Sequence, residues 1–300
     1  MRVTYLYCLV NKKQNSNIEN SELINALVSG FHYVINKQDY LNEINVFPVA
    51  DGDTGTNLSL TLASALEVTK ISDRKNLHTL LEMVAEALLD SARGNSGAIF
   101  AQFFQGLSDF SEGYSQFTVR SLSKAINQGY QYAYEALTTP REGTVLSVMH
   151  AFANSITELI SENPNIGFEE IINKAQLNVD KALLNTTQQL SILKKAGLVD
   201  SGAQGFVFLI KGMSYYLKNK EIKKSPNNPL VNSIKRQKHI STSNHQSQFR
   251  FCTECFINSD EINRKKLQEA LASHGDSMVL AGSKHKVKVH IHTDYPDKVF

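Results

Sequence analysis

Cysteine is scarce in these 300 residues: only Cys8, Cys252 and Cys255 occur. That is too few for a disulfide framework and fits a reducing cytoplasm. No apolar run approaches the roughly 20 residues that a membrane-spanning helix needs. The apolar stretch Val3 to Val10 is interrupted by tyrosine, lacks a small-residue cleavage site and runs into polar sequence, which argues against a signal peptide. A surplus of one charge is lacking too. The 31 Lys and Arg and 29 Asp and Glu leave a net charge of +2, so charge gives no indication of a nucleic-acid partner. The Gly-Lys-Ser/Thr of a P-loop occurs nowhere. What remains is an ordinary globular composition, 42% hydrophobic and 20% charged. The length suits one large domain plus a smaller one, or two medium ones.

From Ser21 to about Leu217 the dominant period is helical. Val119, Leu122, Ile126, Tyr130, Ala133 and Leu137 recur at three- and four-residue steps. So do Leu77, Leu80, Leu81, Val84 and Leu88, then Val145, Val148, Met149, Phe152 and Ile156, then Phe168, Ile171, Ile172, Ala175, Val179, Ala182 and Leu183. The breaks are short and hold Gly, Pro, Asn or Asp, which makes successive helices antiparallel neighbours. The expected fold is mainly α: about eight antiparallel helices in a bundle or barrel, with no convincing strand among them. From Asn219 to Gln248 the chain holds Lys220, Lys223, Lys224, Lys235, Arg236 and Lys238 against the single acid Glu221, with two prolines, and reads as an exposed linker. Beyond it the period shifts towards two. A strand over Phe249 to Ile257, a helix over Ile262 to Ala272 and strands over Ser277 to Ala281 and Lys286 to His292 are expected. This small α/β segment of roughly 50 residues is small for a core of its own. It is expected either to pack on the helices or to open a longer domain.

Three glycine-bracketed loops punctuate the helical region: Gly52-Asp53-Thr54-Gly55, Gly94-Asn95-Ser96-Gly97 and Gly202-Ala203-Gln204-Gly205. Asp51 and Asp53 are paired carboxylates on a turn that opens into a helix, a pattern suited to Mg²⁺ carrying a polyphosphate. A calcium EF-hand counted from Asp51 needs Gly at position 56 and Glu at 62, where Thr56 and Leu62 stand. Thr54, Thr56 and Asn57 follow the pair with side chains and N–H groups for phosphate oxygens. Arg93, Gly94, Asn95, Ser96 and Gly97 read as a helix start that serves as a cap, an anion site or both. Asp200 and Gly202, just before another helix, read as a cap and a close-approach point. The set points to nucleotide-dependent phosphoryl transfer. In the last segment His290 and His292 share one face of an extended strand, and Cys252 is their natural partner from the preceding strand, a trio with zinc-ligand chemistry. Cys255 faces the other way and reads as core.

The three loops, in this order, resemble the ATP-binding L-subunit type of dihydroxyacetone kinase and, more closely, the bacterial fatty acid kinases. The matching stretches are Asn45 to Asn57, Ala92 to Gly97, Glu142-Gly143-Thr144 and Ala196 to Gly205. The likeness continues through Phe251-Cys252-Thr253-Glu254, Gly275 to Val279 and Val289 to Thr293, which favours the fatty acid kinases. The resemblance implies a helical barrel over residues 1–218 that binds ATP at one end. It implies a linker over 219–248 and the start of an α/β middle domain over 249–300. Asp51 and Asp53 are then catalytic ligands of Mg²⁺, and the family's pattern is two such ions bridging the phosphates. Thr54, Thr56, Asn57, Arg93, Gly94, Asn95, Ser96, Gly97, Thr144, Asp200 and Gly202 line the nucleotide, and Cys252, His290 and His292 hold Zn²⁺.

In the related dihydroxyacetone kinase subunit a third aspartate lies shortly before the pair, whereas the nearby polar residue here is Asn45; the family's usual Pro is Ala50 here, and the second Gly of its last loop is Ala203. The acceptor implied is a fatty acid carboxylate, presented by a separate fatty-acid-binding carrier protein of the DegV/FakB type. A homodimer is left open. The rival readings are a small-substrate enzyme of the dihydroxyacetone kinase kind and a nucleotide-binding module without turnover.

Overall fold

The computed structural model describes residues 17–71, 76–224 and 249–300. Cys8, the stretch Val3 to Val10 and most of the expected linker lie outside the described residues. Among the described residues the helical region forms eight long helices: α1 (Asn20–Asn36), α3 (Thr54–Ile71), α4 (Leu77–Ser91), α5 (Gly94–Phe110), α6 (Val119–Glu135), α7 (Val145–Glu162), α8 (Phe168–Gln189) and α10 (Ser201–Asn219). Two short helices, α2 (Gln38–Glu43) and α9 (Ser191–Ala196), sit in the connections. The eight-helix expectation therefore holds for the long elements. One difference is a two-residue strand pair, β1 (Asn17–Ile18) with β2 (Phe117–Thr118), inside the region read as free of strands.

Local chemistry sets the helix starts. Thr118 and Ser121 form a reciprocal capping box at α6, and Asn76 and Asp200 accept from the backbone N–H of Thr79 and Ala203 at the starts of α4 and α10. Every member of the Leu77 to Leu88 stripe and of the Val145 to Ile156 stripe is buried. The first and last long helices cross backbone to backbone: a Cβ at Gly212 of α10 would lie 2.6 Å from the Cα of Gly30 in α1. Among the described residues, no helix is long and apolar enough to cross a membrane.

The last segment folds as β3 (Phe251–Asn258), α11 (Arg264–Leu271), β4 (Asp276–Gly282) and β5 (Lys286–Thr293), an antiparallel sheet in the order β3-β5-β4. Period-two alternation divides its side chains between two covers. Met278, Leu280, Val287, Val289 and Ile291 form one apolar cluster with Leu271 of α11, against which Cys255 packs. Val279 and Ala281 belong instead to the core of the helical domain. The outer edge of β4 is closed by the segment after α6: Leu280 N–H donates to Ala136 O at 2.8 Å, and Leu137 pairs with Val279. Gly282 N–H reaches the buried Gln102 Oε1 on α5 at 2.6 Å. The segment thus packs on the helices, and the opposite face of β5 is delivered to their loop-bearing end.

Candidate functional site

The Asn45–Asn57 turn is held from within by one buried amide. Asn45 Nδ2 donates to Asp51 Oδ1 at 2.7 Å and to Val49 O at 3.0 Å. Its Oδ1 accepts from the hydroxyls of Thr54 and of Ser201, the latter at 3.0 Å. Asn45 therefore welds the start of α3 to the start of α10. Gly52 takes the left-handed conformation, φ +65°, that lets Asp51 and Asp53 converge. Burial first, and then the neighbouring Asp51, push the Asp53 carboxyl up to about 6.

In the second loop Gly94 has φ +58°, and a Cβ there would lie 2.7 Å from Asn57 Nδ2. A left-handed turn and a close approach thus coincide at one residue. Asn95 follows, with an Oδ1 that is buried and has no hydrogen-bond partner among the described residues. In the third loop Asp200 caps α10 through Ala203 N–H at 2.8 Å. Burial pushes its carboxyl up to about 6 despite the N–H groups of Ala203 and Val145. A Cβ at Gly202 would stand 3.3 Å from Ser96 Oγ, so the second and third loops meet there. Thr144 caps α7 beside them, accepting from Leu146 N–H at 3.3 Å.

Two adjoining cavities open at this end. The first, about 770 Å³, has apolar walls that include Val46, Phe47, Ile99, Leu146 and Met278, and its polar lining includes Asn95, Ser96, Thr144 and Asp200 together with Arg141 and Lys195, with Gly202 beside them. The second, about 710 Å³, is polar and lined by Asp51, Asp53, Thr54, Asn57, Arg93, Gly94, Cys252, Glu254, Lys288 and His290. Pro48, Val49, Asn95, Ser96 and His292 border both. The two cavities hold all of the expected nucleotide-lining residues except Thr56 and Gly97. Thr56 is turned to α2, where Asn42 Nδ2 donates to its hydroxyl at 3.0 Å and Asn42 Oδ1 accepts its N–H at 2.9 Å. Gly97 is a packing point, since a Cβ there would lie 2.7 Å from Thr61 Oγ1. Thr54 reaches the second cavity, but its hydroxyl is engaged by Asn45.

The sheet supplies the opposite wall. Strand register pairs Cys252 with His292 and Glu254 with His290, and the ligating atoms of Cys252, His290 and His292 lie within 4.8 Å of one another. Hydrogen bonds from His290 and His292 hold the Cys252 thiol down at about 6. Burial opposes charge on His290, yet Cys252 and Glu254 push it up to about 9. A soft thiolate and two imidazoles on adjacent strands have the chemistry to hold a cation such as zinc. This trio does not stand apart from the Asp51/Asp53 pair but lines the same cavity. Sequence reasoning assigns no role to Glu254 and Lys288, which also line it. The signal is present in the alternation: Cys252 and Glu254 share one face of β3, as Lys288, His290 and His292 share one face of β5.

Comparison with known proteins agrees with this architecture. Residues 48–215 match the DAK2 domain, and residues 248–300 match the FakA-like middle domain of the fatty acid kinases. Two proteins described as uncharacterized, from Staphylococcus aureus strains bovine RF122 / ET3-1 and USA300, are each 30% identical over 293 residues. The match takes in 95% of this chain and 53% of each relative, so the chain spans about half the length of the curated relatives it matches. Among solved structures, the dihydroxyacetone kinase from C. freundii in complex with AMP-PNP and Mg²⁺ superposes with a TM-score of 0.51 at 17% identity, over 72% of this chain and 37% of that one. That likeness shows the shared fold. With a match that spans more than half of its length, followed by the middle-domain match, the chain belongs to the DAK2 domain family, in the FakA-like arrangement of the fatty acid kinases.

Proposed function

We propose that this chain forms the nucleotide-binding part of an ATP-dependent kinase of the fatty acid kinase type. Its reaction is transfer of the γ-phosphoryl group of ATP to a fatty acid carboxylate that a separate DegV/FakB-type carrier protein presents. The observation that carries this reading is the meeting of three loops, distant in sequence, around one cleft that also holds Asp51 and Asp53. The apolar cavity suits a base and ribose, and the polar cavity suits the phosphates.

The donor set fits the ions that such chemistry uses. Asp51 and Asp53 would hold Mg²⁺, which supplies charge neutralisation for the phosphates. Cys252, His290 and His292 would hold Zn²⁺. The chain's own groups do the positioning. The left-handed turn at Gly94 presents the first N–H groups of α5 to a phosphate, at the positive end of the helix. Asn95 Oδ1, buried without a partner among the described residues, is available to an incoming donor such as a ribose hydroxyl or an amino group. Arg93 lies beside the polar cavity as a cation for developing phosphoryl charge. A carboxylate acceptor is already ionised near neutral pH, so no general base is required. Positioning and charge stabilisation then supply the rate.

The experiment is a transfer assay with γ-labelled ATP and Mg²⁺, comparing acyl-loaded carrier protein with dihydroxyacetone. Label on the fatty acid supports the proposal, and label on dihydroxyacetone replaces it with the small-substrate reading. Nucleotide binding without transfer to either acceptor leaves a binding module.

A further inference from the structure

One carboxylate joins the two halves of the cleft. Glu254 Oε1 accepts from His290 Nδ1 at 2.9 Å and from the Gly94 N–H at 3.3 Å. Its Oε2 accepts from Lys288 Nζ at 3.0 Å. Lys288 is buried and also donates to Ala92 O, two residues before Gly94. Glu254 therefore sits on a donor at the start of α5 and on a ring of the Cys252/His290/His292 cluster with the same oxygen.

We propose that Glu254 is a positioning residue that couples cation binding at Cys252, His290 and His292 to nucleotide binding at Gly94. This rests on the reading of the cleft as a nucleotide site. A carboxylate only accepts, so its contact puts the proton on His290 Nδ1. Both ring nitrogens lie near Cys252 Sγ, Nδ1 at 3.8 Å and Nε2 at 3.9 Å, and with Nδ1 engaged by Glu254 it is Nε2 whose proton a cation replaces. An imidazole bound to a cation still donates through its other nitrogen, and the cation adds positive charge to the cluster. That draws Oε1 towards the ring and away from the longer contact with Gly94, whose N–H is released to a phosphate oxygen. The converse follows by linkage: a phosphate on Gly94 repels Oε1 towards His290 and improves the cation site. Lys288 keeps the other oxygen in place, so the carboxylate shifts between its two partners without leaving the cleft.

The test uses the full 300-residue chain, with Zn²⁺ alone and Mg²⁺–AMP-PNP as probes. Zinc affinity is read by competition with a chromophoric chelator, and nucleotide affinity by calorimetry with and without saturating zinc. In the unaltered chain zinc is expected to tighten nucleotide binding at least about fivefold. Glu254→Gln is expected to weaken zinc about 10- to 100-fold and to bring the nucleotide ratio close to one. Glu254→Asp keeps the charge but is too short to span both donors, and it is expected to behave as Glu254→Gln does. Circular dichroism checks that each variant is folded, and either variant alone suffices for the comparison. Wild-type zinc affinity in both variants, an unchanged nucleotide ratio, or full recovery in Glu254→Asp overturns the proposal. Nucleotide binding that ignores zinc in the unaltered chain overturns the coupling alone. Absence of any nucleotide binding overturns the nucleotide reading as well.

Discussion

The side-chain amide of Asn45 donates to Asp51 Oδ1 at 2.7 Å, so this buried residue serves the Asp51/Asp53 turn as a donor rather than as a third carboxylate. A carboxylate at position 45 would face Asp51 at the same distance with no proton between them. Asn45→Asp is therefore expected to destabilise the fold by about 1–3 kcal/mol at pH 7.5, because Asp51 and Val49 both lose their donor. The loss should shrink as the pH is lowered and the new carboxyl is protonated. Urea unfolding at several pH values measures it, and equal stability of the two proteins at pH 7.5 would count against the donor role.

Asp53 titrates near 6 because it is half-buried beside Asp51. If the pair holds Mg²⁺ with the nucleotide, binding must drive off the proton that Asp53 carries around that pH. Calorimetry of Mg²⁺–AMP-PNP binding at pH 6 is expected to give heats that differ between buffers of different ionisation enthalpy, and at pH 8 the difference should vanish. Affinity should fall as the pH drops through 6. Heats independent of buffer at pH 6 would remove Asp53 from the ligand set.

Asp200 is fully buried and its carboxyl is raised from 3.8 to about 6. The native state then binds more protons than the unfolded state between those values, so this group loses stability for the fold as pH rises through the window. At neutral pH the cost is on the order of 3 kcal/mol or less. Asn keeps an oxygen for Ala203 N–H and carries no charge. Asp200→Asn is expected to raise Tm at pH 7.5 and to make no difference below about pH 4. A variant that melts lower at both pH values would show that the charge is stabilised by something else.

Gly94 joins a left-handed φ to a 2.7 Å approach to Asn57. Gly94→Ala is expected to cost about 1–2 kcal/mol of stability from the backbone alone. It should also weaken Mg²⁺–AMP-PNP binding, since Asn57 must move and the N–H groups at the start of α5 turn with the loop. Denaturation and calorimetry read the two effects separately.

The sheet is tied to α5 by the buried bond from Gly282 N–H to Gln102 Oε1. Gln102→Leu leaves that N–H unsatisfied, at a cost of about 1–3 kcal/mol. Hydrogen exchange is expected to quicken along β4 and at its contacts with Ala136 and Leu137, while the amides of α1 and α10 keep their protection. Uniform quickening throughout the chain would mean that the sheet and the helices open as one unit.

By itself the sequence determined the long helices, the strands of the last segment and the residue types of the site, but not the two-residue pair of β1 and β2. Stripes at three- and four-residue steps left each helix one face to bury, and alternation over Lys286 to His292 separated Val287, Val289 and Ile291 from Lys288, His290 and His292. Glycines between polar residues marked the loops, because few other residues turn so sharply beside a helix start. Tertiary structure alone decided which of these meet. Nothing local to Thr56 or Gly97 indicates that one bonds Asn42 and the other packs on Thr61, for those partners come from other helices. Nor does anything near Cys252 announce that its strand will face Asp53 across a cleft. That placement depends on β4 pairing with Ala136–Thr138 and on Gln102 accepting from Gly282, contacts between residues more than a hundred positions apart, whose strength resides in the burial that only the assembled fold creates.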